Sequence, residues 1–453
     1  MLRNHITNPT SFLRGLLATI ILILPWQSVY LFQVPVINGS LWHGGIQSLY
    51  LSELLVWIAT PVFLFWYFHV HHKRHHKKHW SLTTDRLLML SILMVVVYSL
   101  LTGIFSFFPS LALQHTNRIM AAAIFAIMIT LGPLGWIDMI IMLVASAVVP
   151  SLLGIVQVFT QSTIGSTLLG LSIYHPDVPG TSIVASDSIG RFLRAYGSFP
   201  HPNVFGGFLV IALIAAFAAQ SHLHSAQKQR RRLLHASIII MSVALVGSMS
   251  RTAWIGALFA VGCGVVLTRS ADKRWQVVHA KHLISALTLM IISVLFMLIT
   301  FFPIITTRLS AQSSHEITSI TERISNLEDA TAMISLWPMY GVGAGNYTAG
   351  LLYLYPRRPV WMIAPIHNVP LLVVTEFGIV GTLLFVATII MWLLYIMLLR
   401  VHSKHDTTLA LVLAGITILP FLLFDHYLYT TPFGLLLTGL AVGLLTRSLI
   451  REN

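Results

Sequence analysis

The chain has 453 residues, of which 56% are hydrophobic and only 9% charged, and its mean hydropathy is +0.82. Soluble domains carry about 25% charged residues, so a soluble globular enzyme, a disordered chain and a disulfide-stapled secreted scaffold are excluded. What remains is an all-α polytopic membrane protein, because lipid requires every backbone polar group to be satisfied within its own segment.

A spanning helix needs roughly 20 mostly apolar residues. About twelve candidate spans follow in chain order, near 15–32, 48–68, 87–105, 118–133, 137–160, 203–220, 233–249, 252–268, 283–303, 369–399, 407–424 and 431–446. They make one membrane domain over 1–453. The first apolar run lacks a small-residue cleavage site and is read as a retained anchor. The lone Cys263 can form no internal disulfide.

The net charge of +13 would suit a nucleic-acid partner, but its placement argues for sidedness instead. With a cytoplasmic N-terminus, 19 of the 27 Lys and Arg fall in inside segments, and both termini lie in the cytoplasm. The outside segments hold eight cations, all of them Arg: Arg118, Arg191, Arg194, Arg251, Arg308, Arg323, Arg357 and Arg358. The run HVHHKRHHKKHW (69–80) is read the same way, as a topogenic inside loop. Its histidines offer metal ligands, but the lysines among them would repel a cation.

Two connections are long, about 161–202 and 304–366, and both fall outside. Long loops on a rigid scaffold are where binding and catalysis concentrate. The first ends in SDSIGRFLRAYGSFPHPNVFGGFL (186–209). Arg191 and Arg194 are three apart and would share a face of a helical turn. Asn203 would cap the following span, and a helix N-terminus beside arginines suits an anion.

Arg251 lies in GSMSRTAWIG (247–256), at the outer end of two closely spaced spans. A phosphate contact suits it, because guanidinium pairs with phosphate in bidentate fashion. The second loop carries an amphipathic helix, with Ile317, Ile320, Ile324, Leu327 and Ala330 at three- and four-residue steps. Pro338 stops it, and GVGAGNY (341–347) reads as a flexible turn. In IAPIHNVPLLVVTEFGIVG (363–381), His367 and Asn368 sit at the mouth of a span. Histidine titrates in the range needed for proton transfer. Glu376 lies inside the span and is a functional candidate as a buried ionisable group, although roughly 13 Å of helix rise separates it from His367.

Three of these segments together resemble the O-antigen ligase and polymerase superfamily of bacterial membrane glycan transferases. RAYGSFPHPNVFGGFL resembles its Arg–Gly–x–Asn–x–x–Gly segment, and SMSRTAWIG its Ser-Arg outer turn. MISLWPMYGVGAGNY followed by IHNVPLLVVTEFGIVG matches the ligase pattern of His-Asn, nine residues, Gly, two residues, Gly, here His367-Asn368, Gly378 and Gly381. The likeness covers roughly 186–381.

The resemblance implies a GT-C-like transferase of the bacterial inner membrane, with its active site on the outer, periplasmic face. The donor would be a glycan on undecaprenyl diphosphate and the acceptor a hydroxyl, in the ligases one on the lipid A core. The acceptor could also be another glycan, and membrane lipids would be further partners, with no nucleic acid, no cofactor and no metal. The mechanism would be inverting. It also implies the roles: His367 as base, with Arg194 and Arg251 stabilising the leaving diphosphate. Arg191, Asn203, Asn368, Tyr347, Arg357, Arg358 and Glu376 would bind or orient substrate. A repeat-unit polymerase, a protein O-oligosaccharyltransferase and, outside the enzymes, a flippase of lipid-linked sugars are the alternatives.

Overall fold

A computed structural model describes residues 9–71, 82–186, 190–222, 227–269, 273–310, 314–400 and 417–450. Most of the His/Lys run 69–80 and the first part of the 407–424 span lie outside these residues.

The described chain is mostly helical. Its helices are α1 (Pro9–Ile23), α2 (Leu51–Trp66), α3 (Leu82–Ile104), α4 (Pro109–Leu131), α5 (Trp136–Thr160) and α6 (Pro202–His222). They continue as α7 (Lys228–Gly247), α8 (Arg251–Arg269), α9 (Lys273–Thr300), α10 (Phe302–Ser310), α11 (Ser314–Leu336) and α12 (Tyr347–Leu354). The last are α13 (Val369–Arg400), α14 (Tyr427–Thr430) and α15 (Pro432–Ile450), and a helical run over 417–424 precedes α14.

Six of the helices are long and apolar enough to cross a membrane. They become seven if Ile284–Thr300 and Phe302–Ser310, bent by 90°, form one span. The expected count of about twelve is not confirmed among the described residues. The run expected over 15–32 leaves the helix after Ile23, just before Pro25, and Pro9–Ile23, Arg251–Cys263 and Pro432–Ser448 are shorter apolar helices. The span expected from 118 starts instead at Pro109, a residue suited to the first helical turn. Arg118 is therefore inside a helix rather than in an outer loop. It pairs with buried Glu53 at 3.2 Å and donates to the Ser48 carbonyl and hydroxyl.

The connections also hold strands, which the all-α reading did not include. β1 (Val29–Gln33) pairs with β4 (Gln47–Tyr50), β2 (Val36–Ile37) with β3 (Ser40–Leu41), and β5 (Ile183–Ser186) with β6 (Gly190–Leu193), all antiparallel. The last hairpin replaces the helical turn expected at Arg191. On a strand, residues three apart point to opposite faces. Arg191 is accordingly exposed and donates to the Pro176 carbonyl at 2.6 Å, whereas Arg194, just past β6, is buried.

The most enclosed of the six long helices is α6. Within membranes, helices approach closely where small residues let backbones meet, and α6 carries Gly206, Gly207, Ala212, Ala215, Ala216 and Ala219. A Cβ on Gly206 would lie 2.8 Å from that of Ala253 on α8, and one on Gly207 would strike the Tyr427 hydroxyl. These two glycines let α8 and the 425–427 segment close onto the outer end of α6. A second buried cluster, including Trp42, Met333, Tyr347, Ile366 and Phe377, packs α11, α12 and the start of α13 together.

The amphipathic reading of α11 holds at Ala330 and fails at Ile324 and Leu327. Ile324 is 57% and Leu327 49% exposed, while Asn326, Asp329, Ala330 and Met333 are buried and Arg323 is half-buried. The polar edge of the helix finds partners inward: Asp329 pairs with Arg358, and the Asn326 carbonyl accepts from Tyr347 Oη at 3.3 Å. At a membrane surface the surroundings of an outward side chain can be apolar, so the aliphatic residues need not face the protein.

Candidate active site

The site is assembled around one tight turn. α7 ends at Gly247 and α8 begins at Arg251. Between them Met249 adopts φ +50°, an unusual conformation for a bulky residue. The Ser248 carbonyl accepts from Arg194 Nε at 2.9 Å, and the Met249 carbonyl accepts from Arg308 Nε at 3.0 Å. Arg251 follows as the first residue of α8. Two guanidiniums thus hold successive carbonyls of a turn whose last residue is Arg251.

Arg194 is 3% exposed and works as a hub. Its Nη1 donates to Ser182 Oγ at 2.7 Å and its Nη2 to Asn203 Oδ1 at 2.7 Å. Asn203 Nδ2 in turn donates to Asp425 Oδ2 at 3.2 Å. Asn203 sits one residue inside α6, so it does not cap the helix as expected; its amide bridges Arg194 to the carboxylate. Burial lowers the Arg194 pKa to about 10, against a raising influence from Tyr196; Arg251 lowers it further and Asp425 supports the charge.

Asp425 is 4% exposed, and its Oδ1 accepts from the His426 backbone N–H at 2.8 Å. Burial would raise its pKa, but the imidazoles of His426, His367 and His201 and that backbone bond outweigh burial and hold it below the usual range. It is a carboxylate at neutral pH. The rings of His367 and His426 meet edge-on with centroids 5.0 Å apart, and His426 Nδ1 hydrogen-bonds Thr430 Oγ1 at 2.7 Å. His367 Nδ1 is buried without a hydrogen-bond partner. Burial, then His426 beside it, lowers the His367 pKa to about 4; Asp425 opposes this and Arg323 adds to it. At neutral pH its imidazole is uncharged, the state a general base requires.

Ligand atoms of His367, Asp425 and His426 all lie within 4.8 Å of one another. The triplet is thus compact enough to hold a cation as well as to move a proton. Both Asp425 oxygens already accept protein hydrogen bonds.

The arrangement links Arg194, Asn203 and His367 through Asp425, with Arg251 near enough to Arg194 for their charges to interact. The other expected residues lie around it in different roles. Asn368 caps α13, accepting from Leu371 N at 2.9 Å and donating to the Leu423 carbonyl at 3.2 Å. Glu376 is buried and accepts from Gly345 N at 2.8 Å, Tyr347 N at 3.4 Å and Tyr429 Oη. Tyr347 is 1% exposed, and burial raises its pKa far above the usual tyrosine range. Arg358 pairs with Asp329 and stacks over the Tyr355 ring at 3.8 Å, whereas Arg357 is exposed.

The glycine motif has a backbone reason. α13 breaks at Gly378 (φ +63°, ψ −170°), and the 338–343 segment threads through the break. Ile379 N donates to the Pro338 carbonyl at 2.8 Å, Val342 N to that of Thr375 at 3.0 Å and Gly343 N to that of Glu376 at 2.8 Å. A Cβ on Gly378 would lie 2.3 Å from the Met339 carbonyl oxygen, and one on Gly341 2.4 Å from that of Glu376. The run 341–347, expected to be flexible, is pinned instead.

Residues 236–386 match the family model for O-antigen ligase. The matched segment is about a third of the chain and is what the chain shares with the O-antigen ligase superfamily. Among curated proteins, none matches the chain. The O-antigen ligase segment contains the 248–251 turn, Arg308, Arg323, His367 and the Gly378 break, so it spans most of the site. Arg194, Asn203, Asp425 and His426 lie outside it and are joined to it by the contacts above. The match supports, in general terms, a function of the O-antigen ligase and polymerase type for a chain with several apolar helices.

Sequence reasoning missed Asp425 and His426 as functional residues and counted Arg308 and Arg323 only for sidedness. A signal existed for the first pair. LLFDHYLY (422–429) sets an acid and a histidine in an otherwise apolar stretch, a pattern that marks function by default.

Proposed function

We propose that this protein transfers a glycan from undecaprenyl diphosphate to an acceptor hydroxyl at the outer face of the inner membrane, as an O-antigen ligase acting on the lipid A core. The observation that carries the reading is the gathering of a neutral His367, with its partnerless Nδ1, and Arg194 around Asp425, with Arg251 beside Arg194.

The acceptor oxygen attacks C1 of the first sugar and its proton passes to His367. The C1–O bond to the diphosphate breaks, and undecaprenyl diphosphate leaves with the electron pair. A single displacement inverts the anomeric centre. Arg251 meets the charge that develops on the leaving oxygens, and stabilising such charge usually contributes more to the rate than any other effect. Arg194 spends its three nitrogens on protein acceptors and so acts by positioning: it fixes the 248–251 turn and, through Asn203, aims Asp425 at the histidines. Asp425 stabilises the imidazolium that forms as His367 takes the proton.

The test is purified protein in detergent with undecaprenyl-diphosphate-linked O-antigen and a lipid A–core acceptor. Coupled product is expected without a second compartment, which no flippase could deliver. Absence of product with a folded, donor-binding protein overturns the reading. Elongated lipid-linked repeats without lipid A–core product assign a polymerase instead.

A further inference from the structure

His367, Asp425 and His426 present one ligand atom each, and the three atoms lie within 4.8 Å of one another. Two ligands held about 2.1 Å from one tetrahedral ion stand about 3.4 Å apart, so side-chain movement of no more than about 1.4 Å closes the set.

The electron pairs for such an ion are in place. Thr430 Oγ1 donates its one hydrogen to the His426 carbonyl at 3.2 Å. In its 2.7 Å bond to His426 Nδ1 the ring is therefore the donor, which leaves the His426 lone pair on Nε2. Metal-binding histidines are held in this way, by donating the other ring nitrogen to a neighbouring oxygen. His367 Nδ1 has no hydrogen-bond partner, so no protein group competes for it. Asp425 accepts one bond at each oxygen, from Asn203 Nδ2 and the His426 N–H. That uses about half of the roughly four lone-pair sites of a carboxylate.

The donor types select the ion. Two imidazoles and a single carboxylate suit Zn²⁺ and its transition-metal neighbours, whereas Mg²⁺ and Ca²⁺ take sets of oxygens. Charge keeps the hold modest. Asp425 is the only anion of the three and is already tied through Asn203 to the Arg194 guanidinium. An ion here is exchangeable, not a fixed part of the fold.

We infer that His367, Asp425 and His426 form an inhibitory site for a zinc-class divalent ion, which silences transfer by taking the lone pair that His367 needs to accept a proton. The inhibition rests on the base proposed above; the site rests on the geometry of the triplet. A coordinated imidazole nitrogen accepts no proton, so metal and turnover exclude each other.

The test measures transfer by the purified full chain in detergent against rising Zn²⁺, with Co²⁺ as a spectroscopic probe of the same ligands. Saturating Zn²⁺ is expected to lower turnover by about 10²–10⁴-fold, the worth of a general base, and excess EDTA to restore it. Mg²⁺ at the same concentrations is expected to leave turnover unchanged. Thr430→Val removes the group that fixes the His426 tautomer and is expected to raise the half-inhibiting Zn²⁺ concentration by about 10–100-fold. His426→Gln is expected to raise it at least as far; where that variant does not survive purification, Thr430→Val decides. His75→Gln combined with His76→Gln, in the 69–80 run, is expected to leave the Zn²⁺ response unchanged. Independently of turnover, the visible absorption of bound Co²⁺ is expected to be weaker in Thr430→Val and His426→Gln than in the wild type, and unaltered in the His75/His76 double variant.

Absence of Zn²⁺ inhibition, or inhibition that the His75 and His76 substitutions abolish and Thr430→Val does not shift, overturns the inference. So does loss of turnover in EDTA, because the ion would then be required. A wild-type chain that shows the Thr430-dependent Co²⁺ spectrum yet transfers no glycan removes the proposed function and keeps the metal site. A chain that transfers glycan with no Thr430-dependent metal binding removes this inference alone.

Discussion

His367 owes its chemistry to its surroundings at the mouth of α13. Its pKa of about 4 arises mainly from burial, with the neighbouring His426 adding to it. With His367 as the proposed base, lowering pH protonates it, so activity is expected to be lost as pH falls through that pKa. The kcat/KM profile is expected to stay level between about pH 8 and about pH 6 and to fall on an acid limb near pH 4 instead of near 6.5. A limb at the ordinary histidine value would show that His367 is more solvated than this geometry gives. His367→Ala is expected to lower turnover by about 10²–10⁴-fold, the usual worth of a general base, with the melting temperature retained. His367 and Arg194 were legible from residue type and neighbouring motif. The Asn203 bridge was not, because its partner Asp425 lies 222 residues away.

At the scale of elements, the two ends of the site are joined by the broken helix α13 and the segment threaded through it. The break depends on Gly378, whose φ of +63° with ψ of −170° lies in a region essentially reserved for glycine. Gly378→Ala adds a Cβ in contact with the Met339 backbone. It is expected to cost at least about 1–3 kcal/mol from the dihedral alone and to lower the melting temperature measured in detergent. Equal stability would mean that the threaded segment does not depend on this backbone. Glu376 belongs to the same device: its carboxylate ties the start of α12 to Tyr429, three residues beyond His426. Sequence spacing placed Glu376 too far from His367 to touch it. The tertiary contacts show it holding the frame that carries the other histidine.

For the whole molecule, the arginines and histidines arrive from the β6 hairpin, the α7–α8 turn, α10, α11, the start of α13 and the segment before α14. No one element carries the site, so its integrity follows that of the bundle around α6. The His367–Asp425–His426 triplet gives the proposed metal-free chemistry a direct check. Turnover is expected to be unchanged after dialysis against EDTA and assay in chelator. Loss of activity, restored by a divalent ion, would assign the triplet as a metal site in place of an acid–base pair.

Composition and hydropathy alone determined a helical membrane protein, because charge so scarce cannot cover a soluble surface and lipid admits little else. Motif order marked the two outer loops, and local residue types nominated His367, Arg194 and Arg251. Tertiary structure decided the rest. Where helices end and bend depended on local breaks, before Pro25, at the 90° corner before α10 and at Gly378. The facing of α11 depended on which of its edges met protein. The company of His367 depended on contacts between residues far apart in the chain, and no periodicity or spacing rule reaches across such separations.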